Sequence, residues 1–186
     1  MAIKNDKNKE IIEPRTVWVG KPDAPVSLVQ YGDYQSEACA KAHKMVKKLL
    51  ELFPGKVKFN YRHFPLTQIH QHAHKAAEAS VGAIQEGKFW EMHDLLFQNQ
   101  RHLGAASLKG YAREAGVMDK NFLPKLIDSV YGWTVRTDLL EGLHLGVRDV
   151  PSFFINDELF TGKPTLDALS KAIEAALKQS KRRKVA

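Results

Sequence analysis

A strand–helix–strand pattern between residues 26 and 61 limits the folds open to this chain more than any other feature. Residues 26–31 (VSLVQY) are apolar and β-branched at their start, as in a buried strand. Residues 56–61 (KVKFNY) alternate between polar and apolar side chains, which indicates a second strand. Because the connection contains a helix, the two strands are expected to be parallel, with the helix covering one face of the sheet.

The helix inside this unit has clear ends. Ser36 is a favourable N-cap, and Glu37 places a negative charge in the first turn. Pro54 and Gly55 end the helix. Five apolar side chains recur between these ends at spacings of three and four residues, and together they predict one buried stripe: Cys39, Ala42, Val46, Leu49 and Phe53.

The remaining elements surround this unit. Residues 15–19 (RTVWV) predict a short strand before it, and residues 70–147 have a helical pattern throughout, with short breaks at glycines. Two more strands are expected at residues 151–156 and 158–161, and a last amphipathic helix at residues 165–178. The sequence therefore predicts an α/β protein whose small mixed sheet is flanked by helices, with a closing hairpin and an inserted helical subdomain.

This order of elements predicts the domain organisation. Residues 15–69 and 148–178 form the sheet-containing domain, and residues 70–147 form the insertion. Residues 1–14 are polar and predicted to be flexible, while residues 179–186 form a basic tail that is expected to be frayed and solvated.

Charge and hydropathy exclude several classes of function. The formal net charge is +7, but five cations lie in residues 178–186, so the rest of the chain is close to +2. A nearly neutral body argues against a nucleic-acid-binding domain. No run approaches the roughly 18 apolar residues of a membrane-spanning helix, and residues 1–15 lack the apolar segment of a secretory signal. Nothing in the sequence specifies an oligomeric state.

The chain contains one cysteine, Cys39. A single thiol cannot form a disulfide within the chain, and it excludes a zinc site built on several cysteines. Together with the missing signal segment, this favours a cytoplasmic location, with a processed periplasmic form as the alternative.

The histidines do not specify a metal site. His70, His72 and His74 cluster where the insertion begins, but a zinc site needs a further ligand, so we interpret them as polar residues at a helix start. His43 lies one helical turn beyond Cys39. It is either a partly exposed helix residue or a group that approaches the thiol. No metal is predicted.

Five motifs in order, covering about residues 16–178, give the chain a family resemblance: DAPV (23–26), YGDYQ (31–35), RHFPL (62–66), GKFWEMH (87–93) and GVRDVPSFFIN (146–156). The chain resembles the DsbA-like branch of the thioredoxin-fold thiol–disulfide oxidoreductases. The resemblance implies a thioredoxin fold with an α-helical insertion, and protein or peptide thiols as partners.

The sequence departs from this family at two functional positions. The family carries Cys-x-x-Cys at the start of the first long helix, where this chain reads Ser36-Glu37-Ala38-Cys39. A glutamate that acts as a buried proton acceptor in the preceding strand of many members is replaced by Gln30. The family's cis-proline corresponds to Pro151, preceded by Val150.

Several interpretations of Ser36 and Cys39 follow, and ordinary dithiol turnover is expected to be impaired in each. In the first, Ser36 is only a helix cap and Cys39 only a core residue, and the protein is a peptide-binding or scaffold relative of the family. In the second, Cys39 is a lone redox-active thiol. In the third, Ser36 activates bound glutathione. The site resembles that of the kappa-class glutathione transferases, which have a serine at the position of the first cysteine, and this resemblance implies that role. A further alternative is that the serine is an engineered replacement of a cysteine.

The expected site residues follow from the same resemblance. Ser36 and Cys39 are the candidate catalytic residues. The candidate substrate-binding residues are Val150, Pro151, Tyr34 and Glu37, with Tyr34 either lining the groove or only packing beside it. No cofactor is expected other than possible glutathione.

Overall fold

Five strands and seven α-helices form the part of the chain that the computed structural model describes, which is residues 11–185 for the backbone and 11–180 for side chains. The strands are β1 (Trp18–Val19), β2 (Val26–Gly32), β3 (Val57–His63), β4 (Ser152–Ile155) and β5 (Glu158–Leu159). The helices are α1 (Glu37–Leu52), α2 (Ala73–Ile84), α3 (Phe89–Gln98), α4 (Ala105–Glu114), α5 (Phe122–Ile127), α6 (Gly132–His144) and α7 (Leu166–Val185).

The strands form one mixed sheet in the order β1-β3-β2-β4-β5. Strands β2 and β3 are parallel, with Val26 opposite Val57 and Gly32 opposite His63. The other neighbouring strands are antiparallel. The predicted parallel pair and the predicted closing hairpin of β4 and β5 are both confirmed, and the whole is a thioredoxin fold.

Helices cover both faces of this sheet. Gln30 lies opposite Tyr61 in the parallel pair, and the Tyr61 ring packs against His93 of α3, with ring centroids 4.6 Å apart. Helix α1 lies on the same face, with its predicted stripe buried in the core. On the other face α6 approaches closely, since a Cβ atom on Gly142 would lie 2.9 Å from the Tyr31 ring.

Two boundary predictions were wrong. The strand predicted at residues 15–19 is present but begins only at Trp18, because the segment before it forms a 3₁₀ turn (Pro14–Thr16) in which the Asn60 side-chain amide donates to the carbonyl groups of Pro14 and Val17. The last helix does not end near residue 178 but continues to Val185, because the tail contains no proline or glycine to stop it.

The sequence predicts a flexible N-terminus at residues 1–14. Residues 1–10 lie outside the described part of the chain, and Pro14 is buried. The side chains of the basic tail beyond residue 180 are also outside the described part.

The helical insertion is attached to the sheet through a buried polar network. His63 of β3 bonds through Nδ1 to Asp138 Oδ2 of α6 at 2.9 Å, and through Nε2 to Ser80 Oγ of α2 at 2.7 Å. Arg62 donates from Nε to Asp138 Oδ1 at 2.7 Å and is also paired with Glu141. One strand is thus tied to two helices of the insertion.

Within the described residues, no helix combines the length and the apolar character that a membrane crossing requires.

Candidate functional site

The candidate site lies at one end of the sheet, where β2 ends and β4 begins. Tyr31 lies opposite Ser152 in the antiparallel pair, so the loop after Gly32 and the peptide before Ser152 meet at the same edge. That loop leads to Ser36 and α1, and the bond between Val150 and Pro151 is cis. The topology thus places the start of α1 and the cis-proline at the same end of the sheet, although they are far apart in the sequence.

Ser36 is confirmed as the N-cap of α1. Its backbone is extended, with φ −75° and ψ 121°, and its Oγ accepts a hydrogen bond from the Cys39 amide at 3.3 Å. This bond satisfies one of the amide groups left without a partner at a helix start. Glu37 lies in the first turn, where a negative charge is favourable.

Cys39 points into the core and is fully buried. Its Sγ accepts a hydrogen bond from the Asp33 amide at 3.4 Å. Burial raises the pKa of the thiol to about 11, although the hydrogen bonds from the Asp33 amide and from Ser36 act in the opposite direction. At neutral pH the sulfur is therefore a protonated thiol without access to solvent.

Asp33 organises the loop between β2 and α1. Its buried carboxylate accepts hydrogen bonds from the amides of Gln35 at 2.7 Å and Leu66 at 2.8 Å, and it bonds to His70 Nδ1 at 2.9 Å. This carboxylate therefore joins two loops at the site, and His70 has a structural partner.

Gln100 also holds the site loop, and sequence reasoning missed it. Its Nε2 donates to the carbonyl groups of Tyr34 at 2.6 Å and Ser36 at 3.0 Å. The segment after α3 is thereby anchored to the start of α1. No local pattern could have revealed this contact, because the partners are more than 60 residues apart.

The Tyr34 side chain takes the second of the two positions considered for it, packing beside the groove. The side chain is buried, its hydroxyl bonds to His93 Nδ1 at 3.0 Å, and its ring packs against Tyr61 and Phe97. Burial also raises the pKa of Tyr34. Tyr34 therefore belongs to the aromatic core beneath the site.

His43 does not serve the thiol. Its Nε2 lies 3.2 Å from Asp94 Oδ1, and its ring stacks on Phe97 with centroids 4.9 Å apart. Burial lowers its pKa to about 4, with Asp94 opposing, so the ring is neutral at neutral pH. A neutral imidazole paired elsewhere supplies no charge that would stabilise a thiolate.

The backbone amide just before the proline is already used by a neighbouring side chain. The Val150 amide donates to Asp149 Oδ1 at 2.8 Å, and the Val150 side chain is buried while Pro151 is partly exposed. In strand β2, Gln30 lies opposite Phe153; it is buried, and its Nε2 has no hydrogen-bond partner among the described residues. An amide at this position cannot accept or release a proton.

These features define a class: a thioredoxin fold with a helical insertion, whose site combines a helix start with a cis-proline. The thioredoxin family model matches residues 13–175. Oxidised BdbD from Bacillus subtilis is similar in structure, with a TM-score of 0.79 and 24% identity over 89% of this chain and 93% of that one. A thioredoxin-like oxidoreductase from Silicibacter pomeroyi gives a TM-score of 0.75 and 26% identity over 87% and 92%.

The chain belongs to the thioredoxin family, in its DsbA-like branch. Its sequence is also 37% identical over 158 residues to the Na(+)/H(+) antiporter NhaA 1 of Salinispora arenicola, a match that covers 84% of this chain but 24% of the relative. The chain thus spans about a quarter of the length of the curated relatives it matches.

Proposed function

We propose that this protein is a redox-impaired member of the thiol–disulfide oxidoreductase family that binds extended polypeptides without a two-thiol cycle. One observation carries the proposal: the residue that caps α1 is a serine, while the only thiol of the chain is buried behind it with a raised pKa. The family's first sulfur attacks a disulfide as a thiolate, and its second resolves the mixed disulfide. A serine hydroxyl is too weak an acid for the field of a helix start to ionise near neutral pH.

The Ser36→Cys variant tests this proposal. Replacing the hydroxyl with a thiol should give two sulfurs that form a disulfide, with oxidised glutathione accepting the two electrons and two protons. We expect the variant to accelerate the reduction of insulin by dithiothreitol and the unchanged protein to have no effect. Thr161→Cys, which adds a thiol at an exposed site away from α1, is the matched control and should also be inactive.

Two results would contradict the proposal. Acceleration by the unchanged protein would show that Ser36 and Cys39 support turnover as they stand. Failure of the introduced thiol to form a disulfide with Cys39 would show that these positions do not correspond to the family's Cys-x-x-Cys.

We assign the polypeptide-binding role to the backbone around Val150 and Pro151, with Glu37 at the helix start that lies at the same end of the sheet. A peptide that uses the Val150 amide must displace Asp149 Oδ1, which now occupies that donor. Asp149→Ala should therefore strengthen the binding of an extended peptide, and isothermal titration calorimetry measures the change.

Glutathione is the second candidate ligand. The Ser36 hydroxyl accepts the Cys39 amide, and its single proton can turn from the Cys39 sulfur to a bound thiolate. Calorimetry with glutathione at millimolar concentration tests this: saturable binding that Ser36→Ala abolishes supports it, and no heat of binding removes it.

We also propose a cytoplasmic location, because a chain with a single cysteine cannot form the internal disulfides typical of oxidising compartments, with a periplasmic location as the alternative. Cell fractionation distinguishes the two.

A further inference from the structure

A cleft of about 760 Å³ opens beside the start of α1, between that helix and the segment that follows α3. We call it the basic cleft. One wall carries Glu37, Lys41 and Lys44 of α1, and the other is formed by residues 97–102. Gln100 ties this second wall to the Tyr34 and Ser36 carbonyl groups, so the cleft begins directly beside the candidate site.

The charge of the basic cleft is unbalanced. Lys41, Lys44 and Arg101 are exposed, and none of them has an ion-pair partner among residues 11–180, whereas Glu37 is the one carboxylate in the lining. Lys47, further along α1, shows the contrast, because its Nζ is paired with Asp94 at 2.7 Å. Concave surfaces lined by one sign of charge concentrate the field and attract ligands of the opposite sign.

The lining also suits a polypeptide. The side-chain amide of Gln98 offers a donor and an acceptor to a peptide backbone. Gln35 Oε1 already accepts from the His72 amide and Asn99 Nδ2 already donates to the Leu95 carbonyl, which leaves Gln35 Nε2 as a donor and Asn99 Oδ1 as an acceptor. The lining is thus mainly polar, with Ala40 and the largely buried Phe97 as its apolar residues, and such a surface suits the backbone and the charged side chains of an extended chain.

We propose that the basic cleft binds an acidic segment of a partner polypeptide and so selects acidic partners for the adjacent site. This inference rests on the proposed polypeptide-binding function and names the class of partner. The carboxylates of the partner pair with Lys41, Lys44 and Arg101, while its backbone passes the start of α1. Glutathione also carries carboxylates and is the competing source of the same chemistry.

The test is the binding of a fluorescent peptide that is rich in Glu and Asp and contains no cysteine, followed by anisotropy. The Lys41→Gln/Lys44→Gln/Arg101→Gln variant should bind about tenfold more weakly than the unchanged protein, since each exposed pair contributes modestly. The Lys48→Gln/Lys56→Gln/Lys163→Gln variant removes three exposed lysines outside the cleft and should bind as the unchanged protein does. Binding should also weaken as salt is raised.

The remaining outcomes overturn the inference. Equal losses in both variants would mean that net charge, not the basic cleft, attracts the peptide. Equal binding of a peptide with Gln and Asn in place of Glu and Asp would remove the charge argument, and displacement of the acidic peptide by micromolar glutathione would assign the cleft to the small thiol. Because the peptide has no sulfur, these outcomes are independent of the Ser36→Cys test.

Discussion

Cys39 combines full burial with a raised pKa, and both lower the reactivity of a thiol, although the hydrogen bond from the Asp33 amide to its sulfur opposes the rise in pKa. Raising the pKa from 9.0 to about 11 lowers the thiolate fraction at neutral pH by about 100-fold. We expect Cys39 to react with a disulfide reagent such as DTNB at least that much more slowly in native buffer than in denaturant. Stopped-flow absorbance measures both rates, and similar rates would show that the thiol is accessible in the native state.

Gly32 makes a second prediction at a single position. A Cβ atom there would lie 2.7 Å from the ring and the hydroxyl of Tyr61, which packs over the glycine at the end of β2. Gly32→Ala should therefore lower the free energy of unfolding by about 1–3 kcal/mol, as overpacking does in other cores. Urea denaturation measures it.

Gly110 provides the control for that substitution. It lies inside α4, and nothing lies within 4 Å of the Cβ position. Gly110→Ala should raise the free energy of unfolding by about 0.5–1 kcal/mol, because alanine loses less conformational entropy in a helix. Changes of the same sign in both variants would contradict the assigned packing of Tyr61.

Among the elements, those with local signals could be predicted from the sequence. Helix α1 has a cap, a stripe and a terminator, and its observed range agrees with them. The turn at Pro14–Thr16 depends on the distant Asn60 side chain, which no local pattern reveals. The site shows the same division between local and distant signals. The positions of Ser36 and Cys39 in α1 could be predicted from their spacing, but the contacts of Gln100 depend on tertiary structure.

The attachment of α6 to β3 depends on Asp138. Burial alone would raise the pKa of this carboxyl, but the hydrogen bonds from His63 and the charge of Arg62 outweigh it and hold the pKa below its usual value. Asp138→Ala leaves Arg62 and His63 without their buried partner and should cost about 3 kcal/mol of stability. Denaturation at neutral pH measures the loss.

The same carboxyl predicts a pH dependence. A carboxyl with a lowered pKa in the folded state contributes stability above its unfolded pKa of about 3.9, and this contribution is lost as the pH falls through the folded value. The difference in stability between the unchanged protein and Asp138→Ala should therefore shrink below about pH 4. Asp167→Ala, which breaks an exposed pair with Lys171 on α7, is the control and should change stability by less than about 1 kcal/mol at any pH. A difference that stays constant down to pH 2 would contradict the role of the Asp138 charge.

The whole molecule combines an intact scaffold with an altered site. The fold matches the family, the bond before Pro151 is cis and Ser36 caps α1. The resemblance drawn from the sequence assigns Ser36 and Gln30 to the two positions that the family uses for sulfur and proton transfer. Under the proposed function, the protein keeps the binding geometry without the chemistry and acts through the polypeptides it holds. The basic cleft beside the site is consistent with selection of such partners by charge.

The insertion and the sheet share one core, so the molecule should unfold as one unit. Leu28 of β2, Phe89 of α3, Leu108 of α4 and Ile173 of α7 all belong to the same buried cluster. Leu108→Ala creates a cavity in the insertion and should lower the free energy of unfolding by about 2–5 kcal/mol. It should also speed hydrogen exchange of the most protected β2 amides by more than about tenfold, because those amides exchange only through global unfolding. Met118→Ala removes an exposed side chain of the insertion and should leave that exchange unchanged. If Leu108→Ala speeds exchange only within α2–α6, then the insertion unfolds independently and the shared core does not couple it to the sheet.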